Sequence, residues 1–497
     1  MQHVHQVSAT TLYNYVQCPT RVALDYFGDP KERDPANAFV EMLWERGTLY
    51  EKQVIRNGGF EFLDLSGAVG EEKERLTLKA MKAQQPLIYN GRIVAGDLVG
   101  VPDLLRRHES GYLPIDIKSG RGKDDAGEDQ DAKPKVHYGV QLALYVDILE
   151  QLGLSAGRRG FIFDIHGREV EYDLEEPRGV KNPKTLWETY QEILHATGEI
   201  AAGLTSPKGA LASACKLCHW HTCCSHSLRQ ANDLTLIAGL GRARRDALEV
   251  EIPDVETLAA IQAEAYVTKG KTPFKGIAEK SLVTFVARAK LLTTPGAEPC
   301  LKEPIALPQS RLELFFDIEV DPLRDLTYLH GIVERTGGEN ASERFVSFFT
   351  DDESEISERD AFAQAVEYLA REPDATIWFY SPYERTTYRK LQGRYPDVCP
   401  PETIEKLFAP ARAIDLYTDV VARATEWPTN DQSLKTLARY LGFNWRDTNP
   451  SGAASIEWFD RWVKTRDDAI RARILEYNED DCRATRVLLD GIRALAN

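Results

Sequence analysis

From residue 8 to about 230 the hydrophobic pattern switches repeatedly between the helical and the strand period. SATTLYNYVQCPTRVALDY keeps a helical period behind a Ser or Thr that can cap it, with a break expected at Cys18-Pro19. Strand-like runs follow in LIYNGRIVAGDLVGVPDLLRR and YLPIDIKSG. VHYGVQLALYVDILEQLG predicts an amphipathic helix ending at Gly153, RRGFIFDIHGREVEYDL a hairpin, and TLWETYQEILHATGEIAAG another helix. Residues 231–295 predict short helices with tight glycine turns, and Pro295, Pro299, Pro304 and Pro308 mark a linker. Beyond 311 the order is strand (LELFFDIEV), strand (YLHGIVER), strand (RFVSFFT), helix (AFAQAVEYLA), strand (ATIWFYS), then mostly helix. These shifts predict three domains, at 1–230, 231–309 and 310–497.

At 43% apolar and 28% charged residues, the chain has an ordinary globular composition. No run of eighteen apolar residues predicts a membrane span, and MQHVHQVSATTL lacks a signal-peptide pattern, so the expected location is the cytoplasm. The formal net charge of −16 argues against a generic nucleic-acid glue but leaves local basic fields open. Lys269, Lys271, Lys275, Lys280, Arg288 and Lys290 face a single acid, Glu279, within 269–290, whereas DDAGEDQD (124–131) and DDESEISERD (351–360) predict solvated surface.

In YLPIDIKSG, alternation sets Ile115 and Ile117 on one face and Asp116 and Lys118 on the other. Asp103 ends a strand upstream, and two carboxylates from adjacent strands can hold Mg²⁺ or Mn²⁺. A neighbouring lysine can orient or activate the attacking water. Gln141 and Tyr145, at i and i+4 of the next helix, can face the same cleft. Asp103, Asp116-x-Lys118 and Gln141-x-x-x-Tyr145 resemble the PD-(D/E)xK pattern of RecB-like nucleases, including those of CRISPR adaptation. Gly47-x-x-Tyr50-Glu51 falls where that family often carries Gly-x-x-His-Glu, which implies a catalytic role for Glu51 and puts Tyr50 in the place of a metal-ligating histidine.

Cys215-x2-Cys218-x5-Cys224 supplies three closely spaced thiols, and Cys18-Pro19 offers a fourth from the other end of the domain. Thiolates suit iron–sulfur clusters. Zinc is the alternative, with His219, His221 and His226 nearby, and Cys223 is the alternative to Cys224. The resemblance to RecB-like nucleases, which carry one early and three late cysteines, implies a 4Fe-4S cluster acting as a structural staple. Cys300, Cys399 and Cys482 are expected to be buried small apolar residues.

In LELFFDIEVDP, alternation places Leu314, Phe316, Ile318 and Val320 on one face and Asp317 and Glu319 on the other. Burying two such carboxylates requires a compensating cation. Tyr477 and Asp481 stand at i and i+4 of a helix, and Glu384 lies at a strand-to-helix junction. This order resembles the DEDD exonucleases, and the region is similar to the YprB-type ribonuclease H-like domain in such segments as SLKTLARYLG. The resemblance implies that Asp317, Glu319, Glu384 and Asp481 bind two divalent metals while Tyr477 orients the attacking water. Glu384 stands where the family usually has Asp, and Asp415 is a further acid of interest.

Gly239-x-Gly241 resembles the turn of a helix–hairpin–helix, whose N–H groups receive a phosphate, with Arg242, Arg244 and Arg245 adding charge. The expected fold is α/β: a restriction-endonuclease-like domain, a helical connector and an RNase H-like domain. The expected function is a metal-dependent nuclease, more an exonuclease than an endonuclease, acting on single strands or ends of DNA in repair or foreign-DNA processing. The alternative is a nucleic-acid-binding scaffold whose sites have weakened. No GxxxxGK[ST] motif is present, so any unwinding is expected from a separate helicase.

Overall fold

The computed structural model describes residues 5–59, 61–109, 111–124, 133–179 and 182–496. Most of the acidic run 124–131 lies outside the described residues. The chain packs as two compact units, one of residues up to Gly209 with Ser213–Cys224, the other of Ala210–Ala212 with the chain from Ser225. Among the described residues no helix is long and apolar enough to cross a membrane.

In the first unit, six strands lie side by side in sequence order: β1 (Leu63–Asp64), β2 (Leu87–Tyr89), β3 (Leu104–His108), β4 (Gly111–Ile117), β5 (Arg159–Phe163) and β6 (Glu169–Asp173). The β1–β2 and β4–β5 pairs are parallel and the other three antiparallel. Helix α1 (Ala9–Gln17) starts at Ser8, whose hydroxyl caps Thr11, and α2 (Pro19–Phe27) follows after the expected break at Cys18. Helix α3 (Ala38–Asn57) is largely exposed. The run 87–108 divides between two sheets, because Ile93–Ala95 and Leu98–Gly100 join Val7–Ser8 in a separate three-stranded sheet.

Helix α4 (Val136–Gln151) departs from the amphipathic expectation. It is buried on nearly every side, with Val140, Leu142, Leu144, Val146 and Leu149 all inaccessible. The cause is its placement against α1, α5 (Leu186–Ala201) and strands β4 and β5. Such a helix reads as continuous apolar sequence rather than a stripe.

The second unit begins with short helices, including α6 (Gly241–Leu248) and α7 (Glu279–Thr293), around a core of Leu234, Leu240, Leu248, Ile252, Leu258 and Phe285. Gly239 and Gly241 take positive φ of 76° and 63°, the left-handed backbone that the turn demands. The three arginines do not act alike. Arg244 is exposed, but Arg245 is 1% exposed and its guanidinium lies 2.8 Å from Asp233, so it braces the core rather than facing a phosphate. In the basic stretch the five lysines are exposed, while Arg288 turns inward onto buried Glu426 at 2.6 Å. The proline-rich linker holds a strand pair, Cys300–Leu301 against Thr425–Glu426. Cys300 is exposed there, against expectation, because a two-residue pairing gives it no covering layer; Cys399 and Cys482 are buried as expected.

The main sheet of this unit has the order β9-β8-β7-β10-β11, from β7 (Leu312–Asp321), β8 (Leu326–Thr336), β9 (Arg344–Phe349), β10 (Thr376–Phe379) and β11 (Ala413–Asp415). Strands β7, β8 and β9 are antiparallel neighbours, and β10 and β11 add in parallel to β7. The predicted alternation in β7 holds. Leu314, Phe316 and Ile318 pack with Phe362, Val366 and Leu369 of α8 (Glu355–Ala370), and Phe315 faces the opposite layer with Leu488 and Ile492. Helix α9 (Tyr383–Arg394) lies on the α8 side, with Tyr388 and Leu391 in that core. The opposite layer includes α10 (Leu434–Tyr440) and the long α12 (Asp468–Ala496), with α11 (Gly452–Thr465) packed on α12. In the acidic run 351–360, Glu358 is the exception to solvation, buried where it accepts from the Thr327 N–H and Arg394.

Candidate functional site

In the first unit the antiparallel register pairs Leu104 with Ile115, which sets Asp103 across from Asp116. The Ile117 N–H donates to Asp103 Oδ2 at 2.6 Å, fixing that carboxyl against the strand. Asp116 is 2% exposed, and Lys118 Nζ lies 2.8 Å from its Oδ2. Burial, then the charge of Asp116, drives the Asp103 carboxyl far above the usual range, with Glu51 adding to the same effect. Burial would lower Lys118, but Asp116 and Asp103 outweigh it and hold the ammonium charged. The Tyr145 hydroxyl is pushed up by burial and then by the same two carboxylates. Five predicted residues, Glu51, Asp103, Asp116, Lys118 and Tyr145, therefore share one electrostatic neighbourhood. Gln141 sits one turn before Tyr145, buried, with Oε1 unpartnered.

Three supporting contacts were not legible in the motif. The Tyr89 hydroxyl donates to Glu51 Oε1 at 2.9 Å, and the Tyr50 hydroxyl donates to the Asp164 carbonyl. A Cβ on Gly100 would come within 2.6 Å of Tyr145 Cδ1, so glycine is what lets the tyrosine ring approach that strand so closely.

In the second unit β7 and α12 bring Asp317, Glu319 and Asp481 together, one oxygen from each lying within 4.8 Å of the others. Three carboxylates this close repel unless a cation or a proton intervenes. Burial first, then Asp481, pushes the Glu319 carboxyl up to about 8. Asp317 is also raised well above its ordinary value, by burial and then by Asp481, Glu319 and Glu384. Oxygen donors of this number and charge fit a hard divalent ion. Donors surround the trio: Asn478 Nδ2 to Asp317 at 2.7 Å, Trp445 Nε1 to Asp481 at 2.7 Å, and the Tyr328 hydroxyl to Glu319 at 3.3 Å. Lys435 Nζ bonds the Tyr477 hydroxyl at 2.9 Å and both oxygens of Asp481 at 3.0 and 3.1 Å.

Glu384 stands in the first turn of α9, buried, outside the close trio but near enough to act on Asp317. Its Oε2 has no partner. The preceding turn is strained, because Ser381 adopts φ 116°. Asp415 holds that turn: its Oδ1 accepts from the N–H groups of Ser381, Tyr417 and Thr418. The acid therefore shapes the loop that carries Glu384.

Asn478 reaches Asp317 only because residue 331 on β8 is glycine. A Cβ there would fall 1.6 Å from Asn478 Oδ1. Gly331→Ala is therefore expected to expel Asn478 and destabilise the protein by about 3 kcal/mol or more, the sum of overpacking and a lost buried hydrogen bond. Urea unfolding at constant m would measure it; a change below about 1 kcal/mol would contradict the placement. Lys435, Trp445 and Asn478 escaped sequence reading. The nearest signals were the SLKTLARYLG segment itself and the lone glycine inside YLHGIVER.

Cys18 lies at the junction of α1 and α2, Cys215 and Cys218 in a short turn, and Cys224 in the helix His221–Gln230. Burial raises the Cys224 thiol to about 12, followed by the influence of Cys218, Cys223, Cys18 and Cys215. Cysteines from the two ends of the unit are thus near enough to act on one another, but among the described residues no three of their sulfurs lie within 4.8 Å of one another. Cys223 turns toward Glu32 at 3.4 Å, which leaves Cys224 facing the others. His219 is taken up by Asp25 at 2.7 Å, and the Trp220 indole donates to the same oxygen at 2.9 Å. Gly28 permits this clasp, since a Cβ there would approach Trp220 to 2.7 Å.

No curated protein matches the chain. Two family models match separate parts of the chain. Residues 6–225 match the PD-(D/E)XK nuclease superfamily, enclosing Glu51, Asp103, Asp116, Lys118, Tyr145 and all four clustered cysteines. Residues 314–492 match the RNase H superfamily, enclosing Asp317, Glu319, Glu384, Tyr477 and Asp481. The chain carries a PD-(D/E)XK nuclease superfamily domain followed by an RNase H superfamily domain.

Proposed function

We propose that the chain is a metal-dependent nuclease that hydrolyses phosphodiester bonds of DNA, as an exonuclease on single strands or ends, with both domains catalytic. The observation that carries this reading is the buried trio Asp317, Glu319 and Asp481, whose oxygens approach within 4.8 Å. Divalent Mg²⁺ or Mn²⁺ would supply charge neutralisation there and on the phosphate. The trio would hold the ion, Glu384 would extend the ligand set, and Tyr477 would fix the attacking water. In the first unit Asp103 and Asp116 would be the ligands, with Glu51 beside them. Lys118 would aim the water and Tyr145 and Gln141 would bind the phosphate or its nucleotide. In either site the water oxygen bonds to phosphorus as one ester P–O bond breaks, and one water proton finishes on the released hydroxyl.

The thiols of Cys18, Cys215, Cys218 and Cys224 would hold a 4Fe-4S cluster as a staple between the ends of the first domain. We take residues 1–230, 231–309 and 310–497 as the working division, with the middle segment binding phosphates through its glycine turn. The expected setting is the cytoplasm, in repair or foreign-DNA processing, with a separate helicase supplying unwinding.

End-labelled DNA and RNA, single- and double-stranded, digested with Mg²⁺ or Mn²⁺, test the reading. Asp116→Ala is expected to remove one activity and Asp317→Ala the other, with both substitutions together leaving none. Degradation that survives the double substitution would refute it. Binding without any cleavage would instead favour a scaffold with weakened sites.

A further inference from the structure

We propose that Lys435 is a positioning residue of the RNase H-like site, a built-in cation that locks Asp481 and Tyr477 together and competes with divalent ions for the carboxylates. The inference rests on the reading of Asp317, Glu319 and Asp481 as a metal-ligand set.

Ser433 caps α10 by accepting from the Thr436 N–H, and Lys435 leaves the first turn of that helix. Its ammonium runs between two rings, 5.3 Å from the centre of Trp445 and 4.8 Å from that of Tyr477. It ends on Asp481 Oδ1, Asp481 Oδ2 and the Tyr477 hydroxyl, all within 3.1 Å. Trp445 fixes the same carboxyl from another side, through its 2.7 Å bond to Oδ1. An ordinary surface pair lets both side chains swing, whereas this ammonium has defined partners for its N–H groups.

Two consequences follow from the chemistry of the groups. An ammonium can only donate, so its bond to Tyr477 occupies a lone pair of the phenol oxygen. The tyrosine's own proton must then point away from Lys435, and Asp481 is its acceptor in this arrangement, which ties the two residues together. Asp481 is also the carboxylate shared between the ammonium and the trio. A divalent ion entering the trio meets a positive charge on one of its own ligands, which weakens its binding. Lys435 thus trades metal affinity for a fixed arrangement of the residues around the ion.

The test uses the full chain with Asp116→Ala, which leaves the RNase H-like site alone. Mn²⁺ binding is measured by calorimetry and by electron paramagnetic resonance, and single-turnover cleavage with end-labelled single-stranded DNA and RNA at saturating Mn²⁺. Lys435→Met is expected to bind Mn²⁺ at least tenfold more tightly and to cleave at least tenfold more slowly. Lys435→Arg, which keeps the charge, is expected to retain the wild-type Mn²⁺ affinity and recover part of the rate. A purely structural lysine would lower affinity and rate together, so unchanged or weaker Mn²⁺ binding by Lys435→Met overturns the proposal, as does an unchanged rate. Should Lys435→Met fail to fold, Lys435→Gln is read by the same criteria. If Asp317→Ala in this background alters neither Mn²⁺ binding nor cleavage, the ligand-set reading itself fails, a result distinct from failure of Lys435 alone.

Discussion

Asp317→Asn is expected to cut the cleavage that belongs to the RNase H-like site by on the order of 10³-fold, while making the metal-free protein more resistant to heat at pH 8. The first effect follows from geometry, since Asp317 is one of only three carboxylates in the close set. The second follows from charge. In the metal-free fold, burial and then Asp481 raise Glu319 to about 8 from its ordinary 4.5. Folding then favours the protonated acid, so its contribution to stability is full below pH 4.5. It is lost progressively as pH rises, and is gone once pH passes about 8, where the folded state must carry the charges uncompensated. Asparagine removes one of those charges and still offers an acceptor to Asn478. Each kcal/mol regained shifts the melting temperature by roughly 2–4 °C for a unit of this size. Calorimetric melts in chelator and in Mn²⁺ check both parts. Wild type should gain several degrees from Mn²⁺ at pH 8 and little at pH 5, and Asp317→Asn should lose most of that gain. An equal Mn²⁺ shift in both proteins would place the ion elsewhere.

The carboxylates were legible because each motif is short and local. Asp317 and Glu319 share a strand, and Tyr477 and Asp481 share a helix face, so the period of the element alone predicts their company. The groups that tune them were not legible, because they arrive from elsewhere in the chain. Lys435 and Trp445 come from α10 and the loop after it, and nothing in their own neighbourhood points to Asp481. Asp415 showed the opposite failure. It was visible as a candidate acid, yet its oxygen is spent on backbone N–H groups of a strained turn, a role only coordinates can reveal. Arg245 was likewise visible as a cation beside a glycine turn, and its helix places it in the core. The α4 helix was found, but not its depth, since burial depends on layers contributed by residues far away in sequence.

Cys18→Ser is expected to have the largest effect on stability. Cys18 and Cys215 stand roughly 200 residues apart, and a covalent tie across a loop of that length removes about 5 kcal/mol of unfolded-chain entropy. That is comparable with the whole stability of many domains, so the variant should lose the first unit's cooperative melt along with the proposed cluster. The readouts separate the metal from the fold. Wild type purified without oxygen should be brown, with iron and acid-labile sulfide in equal amounts; colourless protein carrying one zinc per chain would refute the cluster. Cys223→Ser provides the internal comparison, because that thiol turns to Glu32 and should leave colour and stability intact. Acidity supplies an independent check. With Cys224 raised to about 12 in the metal-free fold, the thiols bind the cluster only by giving up protons, so reconstitution should improve as pH rises from 6 to 8. Asp25 already takes the His219 ring nitrogen, so His219→Gln should reconstitute as wild type does. Retention of the brown colour by Cys18→Ser would assign the cluster to the three late thiols and a ligand other than the early one, and would remove the staple from the account of this domain.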